Sequence, residues 1–342
     1  MGFEENIEST SLFRIRPVLL SLACAFSVGT QAQTLDPAFS ASYTVADLCS
    51  VPGLPSNYGG LTFLDADTLL IGGQANTAAG SLYTIDVTRD ASNHVTGFTG
   101  SVVRFGGASG AVGEYNDGGV VFGPSGVLFT SRWPINGLGQ TQPGSIDEDK
   151  IIDLTPLGVA SSHAAINFVP SGFGGAGQAK LVSWSGGQWY SAGLAADGGG
   201  TFDLVGLAQV DLDPVAAGIQ NVPGGPEGFV YIAGGNAGFA SASMLISEYS
   251  AGAVGAYELD ANGNPLVSTR RSFLTGLTGA EGAVIDPVTG DFLFSTFGGG
   301  SRVVRVSGFI APEPPVAVIP EPSTIALMLG GIAGLVAWRR RR

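Results

Sequence analysis

From Leu35 onward, short runs of Val, Leu, Ile and Phe alternate with glycine-rich turns, the pattern of β-strands joined by tight connections. Five stretches share one layout: an apolar strand follows small residues, a turn intervenes, and a second apolar strand returns. They are YGGLTFLDADTLLIGG from Tyr58, DGGVVFGPSGVLFTS from Asp117, HAAINFVPSGFGGAGQAKLVSWSGG from His163, EGFVYIAGG from Glu227 with its partner SMLISEYSAG, and EGAVIDPVTGDFLFSTFGGG from Glu281. Their openings lie 59, 46, 64 and 54 residues apart, the period of a propeller blade.

Further strands fill each period. SLYTIDVTRD and HVTGFTGSVVRF complete the first across the turn Asp90-Ala91-Ser92-Asn93, and AVGAYELD and PLVSTRRSF flank the hairpin signal Asn262-Gly263 in the fourth. The fifth period stops after SRVVRVSGF, three strands in, while FSASYTVADL near residue 40 has no period of its own. A strand from the chain start that completes the last blade closes the ring and removes an open edge. The sequence therefore predicts an all-β, five-bladed β-propeller over residues 33–309, closed by its N-terminal strand. Irregular spacing of the third and fourth segments leaves six blades as the alternative.

Composition supports this reading. The chain has 54 glycines and only 13% charged residues, yet its apolar content is ample for a core, which argues against disorder. Net charge is −13, and residues 33–322 alone carry nine basic and 25 acidic groups, a net of −16. Such a surface excludes nucleic acid as a partner and favours cations.

The two ends read as targeting segments. Arg14 and Arg16, an apolar run from Val18 to Val28 and Thr30-Gln31-Ala32 form a signal-peptide pattern over residues 1–32, with cleavage expected before Gln33. At the other end, a Pro-rich spacer over residues 310–318 leads to IPEPSTIALMLGGIAGLVAWRRRR over residues 319–342. From Ile325 to Trp338 a helix covers about 21 Å at 1.5 Å per residue. Dipping Pro322, Ser323 and Thr324, an interfacial Trp338 and snorkelling arginines from Arg339 and Arg340 onward extend it toward the ~30 Å hydrocarbon core. A single C-terminal transmembrane helix is thus predicted, arginines on the cytoplasmic side and the body exported.

Pro320-Glu321-Pro322, the short hydrophobic span and the terminal arginine cluster together resemble the PEP-CTERM sorting signal of Gram-negative bacteria that make exopolysaccharide. The resemblance covers about 24 of 342 residues. It implies recognition at Pro320, Glu321 and Pro322 by an exosortase, removal of the helix, and release or attachment at the cell surface.

Superposing the five openings aligns Tyr58, Asp117, His163, Glu227 and Glu281. First strands of a propeller line its channel, so these side chains are expected to converge at one mouth. Carboxylates brought together repel unless a cation or a proton intervenes, and Asp117, Glu227, Glu281 and His163 are the candidate metal ligands. Oxygen ligation favours calcium, whereas His163 pulls toward a transition metal. The simpler alternative is that these residues satisfy backbone amides at strand starts. Trp133, Trp184, Trp189 and Tyr190 are either a sugar-stacking surface or core aromatics. Neither a Gly-x-Ser-x-Gly elbow nor a phosphate loop occurs. The expectation is an exported binding or matrix-associated propeller. Its rival is a calcium-dependent hydrolase (lactonase, esterase-like or glycosidase) using Asp117, Glu227 and Glu281 as acid, base and orienting group.

Overall fold

The computed structural model describes residues 32–311, built from strands, turns and two single-turn 3-10 segments. The predicted signal peptide up to residue 31, the spacer beyond residue 311, the motif Pro320, Glu321 and Pro322, and the anchor residues Ile325, Trp338, Arg339 and Arg340 lie outside the described residues. Two short strands come first, β1 (Thr34–Leu35) and β2 (Thr44–Asp47). Blade 1 follows as β3 (Leu61–Phe63), β4 (Thr68–Gly73), β5 (Ser81–Arg89) and β6 (Val95–Arg104). Blade 2 is β7 (Asn116–Phe122), β8 (Leu128–Arg132), β9 (Gly137–Thr141) and β10 (Lys150–Asp153). Blade 3 is β11 (His163–Phe168), β12 (Ala179–Ser183), β13 (Trp189–Ala196) and β14 (Phe202–Val210). Blade 4 is β15 (Pro226–Ile232), β16 (Ser243–Glu248), β17 (Ala253–Glu258) and β18 (Arg271–Thr275), and blade 5 contains β19 (Ala280–Ile285), β20 (Phe292–Thr296) and β21 (Val303–Ser307).

These make five antiparallel meanders, so the ring has five blades and the six-bladed alternative falls. β2 supplies the missing fourth strand of blade 5, pairing Thr44 with Ser307 and Asp47 with Val304. The sequence did not announce β1, which adds a fifth, outermost strand to blade 4 by pairing Thr34 with Thr275. The N-terminal segment therefore holds two neighbouring blades. Its turn buries Phe39 and Tyr43 in an aromatic cluster with Phe239, Phe273, Phe292 and Phe309. Phe39 stands 5.2 Å from Phe239 and 5.0 Å from Phe273, ring centre to ring centre.

Five apolar clusters fill the five gaps between blades. The one between blades 1 and 2 has the fewest buried members: Leu70, Leu82, Val112, Val120 and Leu128. At the axis the first strands approach too closely for side chains. A Cβ on Gly228 would lie 2.5 Å from Ala283 N, one on Gly282 2.6 Å from Gly60 Cα, and one on Gly119 2.6 Å from Ile166 N. The small residues after each opening are what let five strands share one narrow centre.

Candidate functional site

The acidic side chains reach the axis through β-bulges. In blade 4 the ladder passes from Pro226–Glu248 to Phe229–Ile246, so Glu227 and Gly228 together oppose Ser247. Likewise Glu281 and Gly282 oppose Ser295 in blade 5, and Asp117, Gly118 and Gly119 oppose Ser131 in blade 2. A bulge turns its extra residue out of the pleat, here toward the channel. Serines stabilise two of the bulges. Ser131 Oγ accepts from Gly119 N at 2.8 Å, and Ser295 Oγ accepts from Gly282 N at 2.8 Å while donating to Gly59 O at 2.6 Å in blade 1.

Asp117, Glu227 and Glu281 converge there, each offering a carboxylate oxygen within 4.8 Å of the others. Their exposures are 1%, 3% and 0%. Asp117 Oδ2, Glu227 Oε2 and both Glu281 oxygens are buried without a hydrogen-bond partner among the described residues. Burial pushes Asp117 up to about 7, opposed by Asn76 and the Gly118 N–H. Burial, then the charge of neighbouring carboxylates, holds Glu227 and Glu281 well above the ordinary glutamate range. Three such groups cannot all stay ionised in a site closed to water; protons or a cation must compensate.

The donor set fits a hard cation. Calcium ligands sit at about 2.3–2.6 Å, so two oxygens on one ion stand up to about 5 Å apart, which accommodates the observed spread. Asn76, from the connection after β4, adjoins the cluster. With its nitrogen inward it donates to Asp117 Oδ1 at 2.9 Å and to Asn116 O at 3.2 Å; turned over, it presents an oxygen ligand instead. Tyr249, partly exposed, feels all three carboxylates, and burial followed by their charge raises its pKa.

His163 is corrected as a ligand candidate. With Ala164 it opposes Ser183, the place that Glu227 and Gly228 hold opposite Ser247, but its ring is held by backbone carbonyls and it is not one of the converging groups. Its Nδ1 faces Gly137 O at 3.1 Å and its Nε2 faces Ala165 O at 3.0 Å. Burial lowers its pKa to about 4, so the ring is neutral and donates one N–H to one of those carbonyls. Tyr58 is also displaced. In blade 1 Gly59 N donates to Gly72 O at 3.1 Å and Gly72 N to Gly60 O at 2.9 Å, placing Gly59 at the position the acids hold elsewhere. The Tyr58 hydroxyl instead accepts from Val51 N at 2.8 Å inside the core.

Aromatics divide between core and rim. Trp189 and Tyr190 are core residues. Trp133, Trp184, Tyr249 and Phe297 each follow a second strand and stand half-buried, successive ring centres 6.4, 6.1 and 6.0 Å apart. Asn76 and Tyr249 were not apparent in the sequence, because neither shares the position of the opening residues. The serines did leave a signal, the Ser near the end of LFTS, LVS, LIS and LFS. Asp65, Asp90, Asp197 and Asp260 are turn residues whose carboxylates accept backbone amides two to four residues on.

Residues 318–342 match the family described as the PEP-CTERM protein-sorting motif. No curated protein matches the chain in sequence. Among solved structures, similarity extends to an auxiliary nutrient binding protein from Bacteroides thetaiotaomicron, at 12% identity and TM-score 0.42 over 73% of this chain and 58% of that one. A counterpart from Bacteroides ovatus gives 11% and 0.42 over 78% and 76%, and the PQQ domain of pyranose dehydrogenase from Coprinopsis cinerea gives 11% and 0.41 over 81% and 97%. The chain thus spans little more than half of the first of these. At such identities the likeness concerns fold alone, and the activities in those names belong to those proteins.

Proposed function

The chain is a five-bladed β-propeller that ends in a PEP-CTERM protein-sorting motif, which implies export and membrane anchoring before exosortase processing, and we propose that it works at the surface of a Gram-negative cell or outside it as a binding or matrix-associated protein steadied by a channel calcium. Exopolysaccharide or another matrix component is the partner class that this sorting favours. The observation that carries the calcium reading is the set of three buried carboxylates with oxygens within 4.8 Å and four of those oxygens unpartnered. Bound calcium would neutralise most of their charge and tie blades 2, 4 and 5 together at the axis; the protein's part is to supply oxygens from three strands and to exclude water.

The hydrolase reading is less well supported. An acid, a base and an orienting group must touch the substrate, whereas these carboxyls are at most 3% exposed. Turnover of a lactone or an aryl glycoside that is abolished by Glu227→Gln or Glu281→Gln would reverse the ranking. Sorting is tested by replacing Pro320 and Glu321 with alanine: the protein should stay in the membrane with its tail uncut, and unchanged processing would contradict the assignment.

A further inference from the structure

The chain has two lysines, and the fold treats them differently. Lys150 lies toward the surface between the carboxylates of Asp197 and Asp203. Lys180, on β12 of blade 3, is 0% exposed, and among the described residues it forms no ion pair. Its Nζ donates to three neutral oxygens: Gln178 Oε1 at 2.8 Å, Ser191 Oγ at 2.9 Å and Asn264 Oδ1 at 2.8 Å. An ammonium buried without a counterion is costly. Burial accordingly lowers Lys180 to about 8, opposed by the charge of Asp260, so the neutral, nucleophilic amine is accessible under mildly alkaline conditions.

The third of those oxygens belongs to an amide held from both ends. Asn264, itself buried, closes the turn Asp260-Ala261-Asn262-Gly263-Asn264 between β17 and β18 of blade 4. Glycines let this turn press against the connection between β11 and β12. A Cβ on Gly174 would lie 2.1 Å from Ala261 O, and one on Gly175 2.3 Å from Asn262 O. The Tyr231 hydroxyl fixes the turn further by donating to Gly263 O at 3.1 Å. Trp189 Nε1 donates to Asn264 Oδ1 at 3.1 Å alongside Lys180, while Asn264 Nδ2 donates to Asp260 Oδ2 at 2.9 Å. Two donors on the oxygen and an acceptor at the nitrogen settle which way the amide faces. Asp260 is held in turn, its Oδ1 accepting from Asn262 N and Asn264 N, each at 2.8 Å. The amide carbon lies one C=O bond, about 1.2 Å, from the oxygen that Nζ already touches.

We propose that Lys180 and Asn264 join in an intrachain isopeptide bond that ties blade 3 to blade 4. Neutral Nζ attacks Cγ, and the carbonyl electron pair moves onto Oδ1, where the Trp189 N–H stabilises it. The proton shed by Nζ passes through Asp260 to Nδ2. The carbonyl re-forms, the Cγ–Nδ2 bond breaks and ammonia leaves. One amide replaces another, so the step consumes no oxidant, and the buried amine becomes an uncharged N–H. The link closes a sequence separation of 84 residues and restrains the unfolded chain as other cross-links do.

Peptide mapping of the purified full chain by mass spectrometry, after incubation at pH 8, tests the bond. The segments holding Lys180 and Asn264 should be recovered as one branched peptide, about 17 Da lighter than the two together because ammonia has left. Asp260→Asn keeps an oxygen for the turn amides but cannot carry the proton. It should give the two segments separately at full mass, with the β-sheet circular dichroism of the wild type. Separate, full-mass segments from the folded wild type would overturn the proposal, as would a loss of ammonia that maps to ring closure at Asn262-Gly263 alone. A branched peptide from Asp260→Asn at wild-type yield would overturn the part given to Asp260. None of these readouts involves calcium or the axial carboxylates, so the bond stands or falls apart from the ion site.

Discussion

The buried carboxylates make stability depend on pH in a sense opposite to that of an ordinary surface acid. A carboxyl whose folded pKa exceeds its unfolded value binds more protons in the native state between the two. Its stability contribution is full below the unfolded pKa and lost as pH rises through the folded one. For Asp117, moving from 3.8 to about 7, the loss is on the order of 4 kcal/mol at about 1.36 kcal/mol per unit, and Glu227 and Glu281 act in the same direction. At about 2–4 °C per kcal/mol for a large domain, the metal-free Tm should fall on the order of 10 °C between pH 5 and 8. Calcium at a hundredfold excess over its Kd restores about 2.7 kcal/mol, and only where protons have left the site. Scanning calorimetry in chelator and in calcium, at both pH values, reads all four combinations. Asp291, beside His94, is also raised by burial, so Glu227→Gln and Glu281→Gln isolate the axial share; each should flatten the chelator profile and remove the calcium increment. A Tm in chelator that is level from pH 5 to 8, or equal calcium increments at both, would refute the reasoning.

Three further outcomes follow from packing and register. Gly282→Ala forces a Cβ to 2.6 Å from Gly60 Cα and should cost about 1–3 kcal/mol in denaturant melts; Gly97→Ala, where the nearest atom is 3.4 Å away, should be nearly neutral. Phe39→Ala, which empties the centre of the closure cluster, should cost about 3–5 kcal/mol and raise exchange in both β2 and β18. His163→Gln should lower Tm through its lost carbonyl contact but leave calcium affinity unchanged, and a parallel loss of affinity would return His163 to the ion.

Much of the architecture was legible because a propeller repeats its own instructions. Each apolar pair, turn and small-residue opening recurs, and the surplus strand at residue 40 answered the deficit after Phe309. β1 escaped because two residues, Thr34 and Leu35, carry no periodicity and find their place only against Thr275 and Leu274. The same limit governs the site. Asp117, Glu227 and Glu281 precede Gly and were readable as equivalent, but the path of a bulge is invisible in the letters: Gly59 rather than Tyr58 takes the place in blade 1, and His163, in register with Glu227, is held instead by the carbonyls of Gly137 and Ala165. Asn76 is brought in by a connection whose path is a tertiary matter.

The central claim, that three blades hold one divalent cation between them, is tested most directly by elemental analysis of the purified chain after dialysis against calcium at pH 8. One calcium per chain is predicted for the wild type and none for Glu227→Gln/Glu281→Gln. A wild type without calcium, or a double variant that retains it in full, would contradict the account.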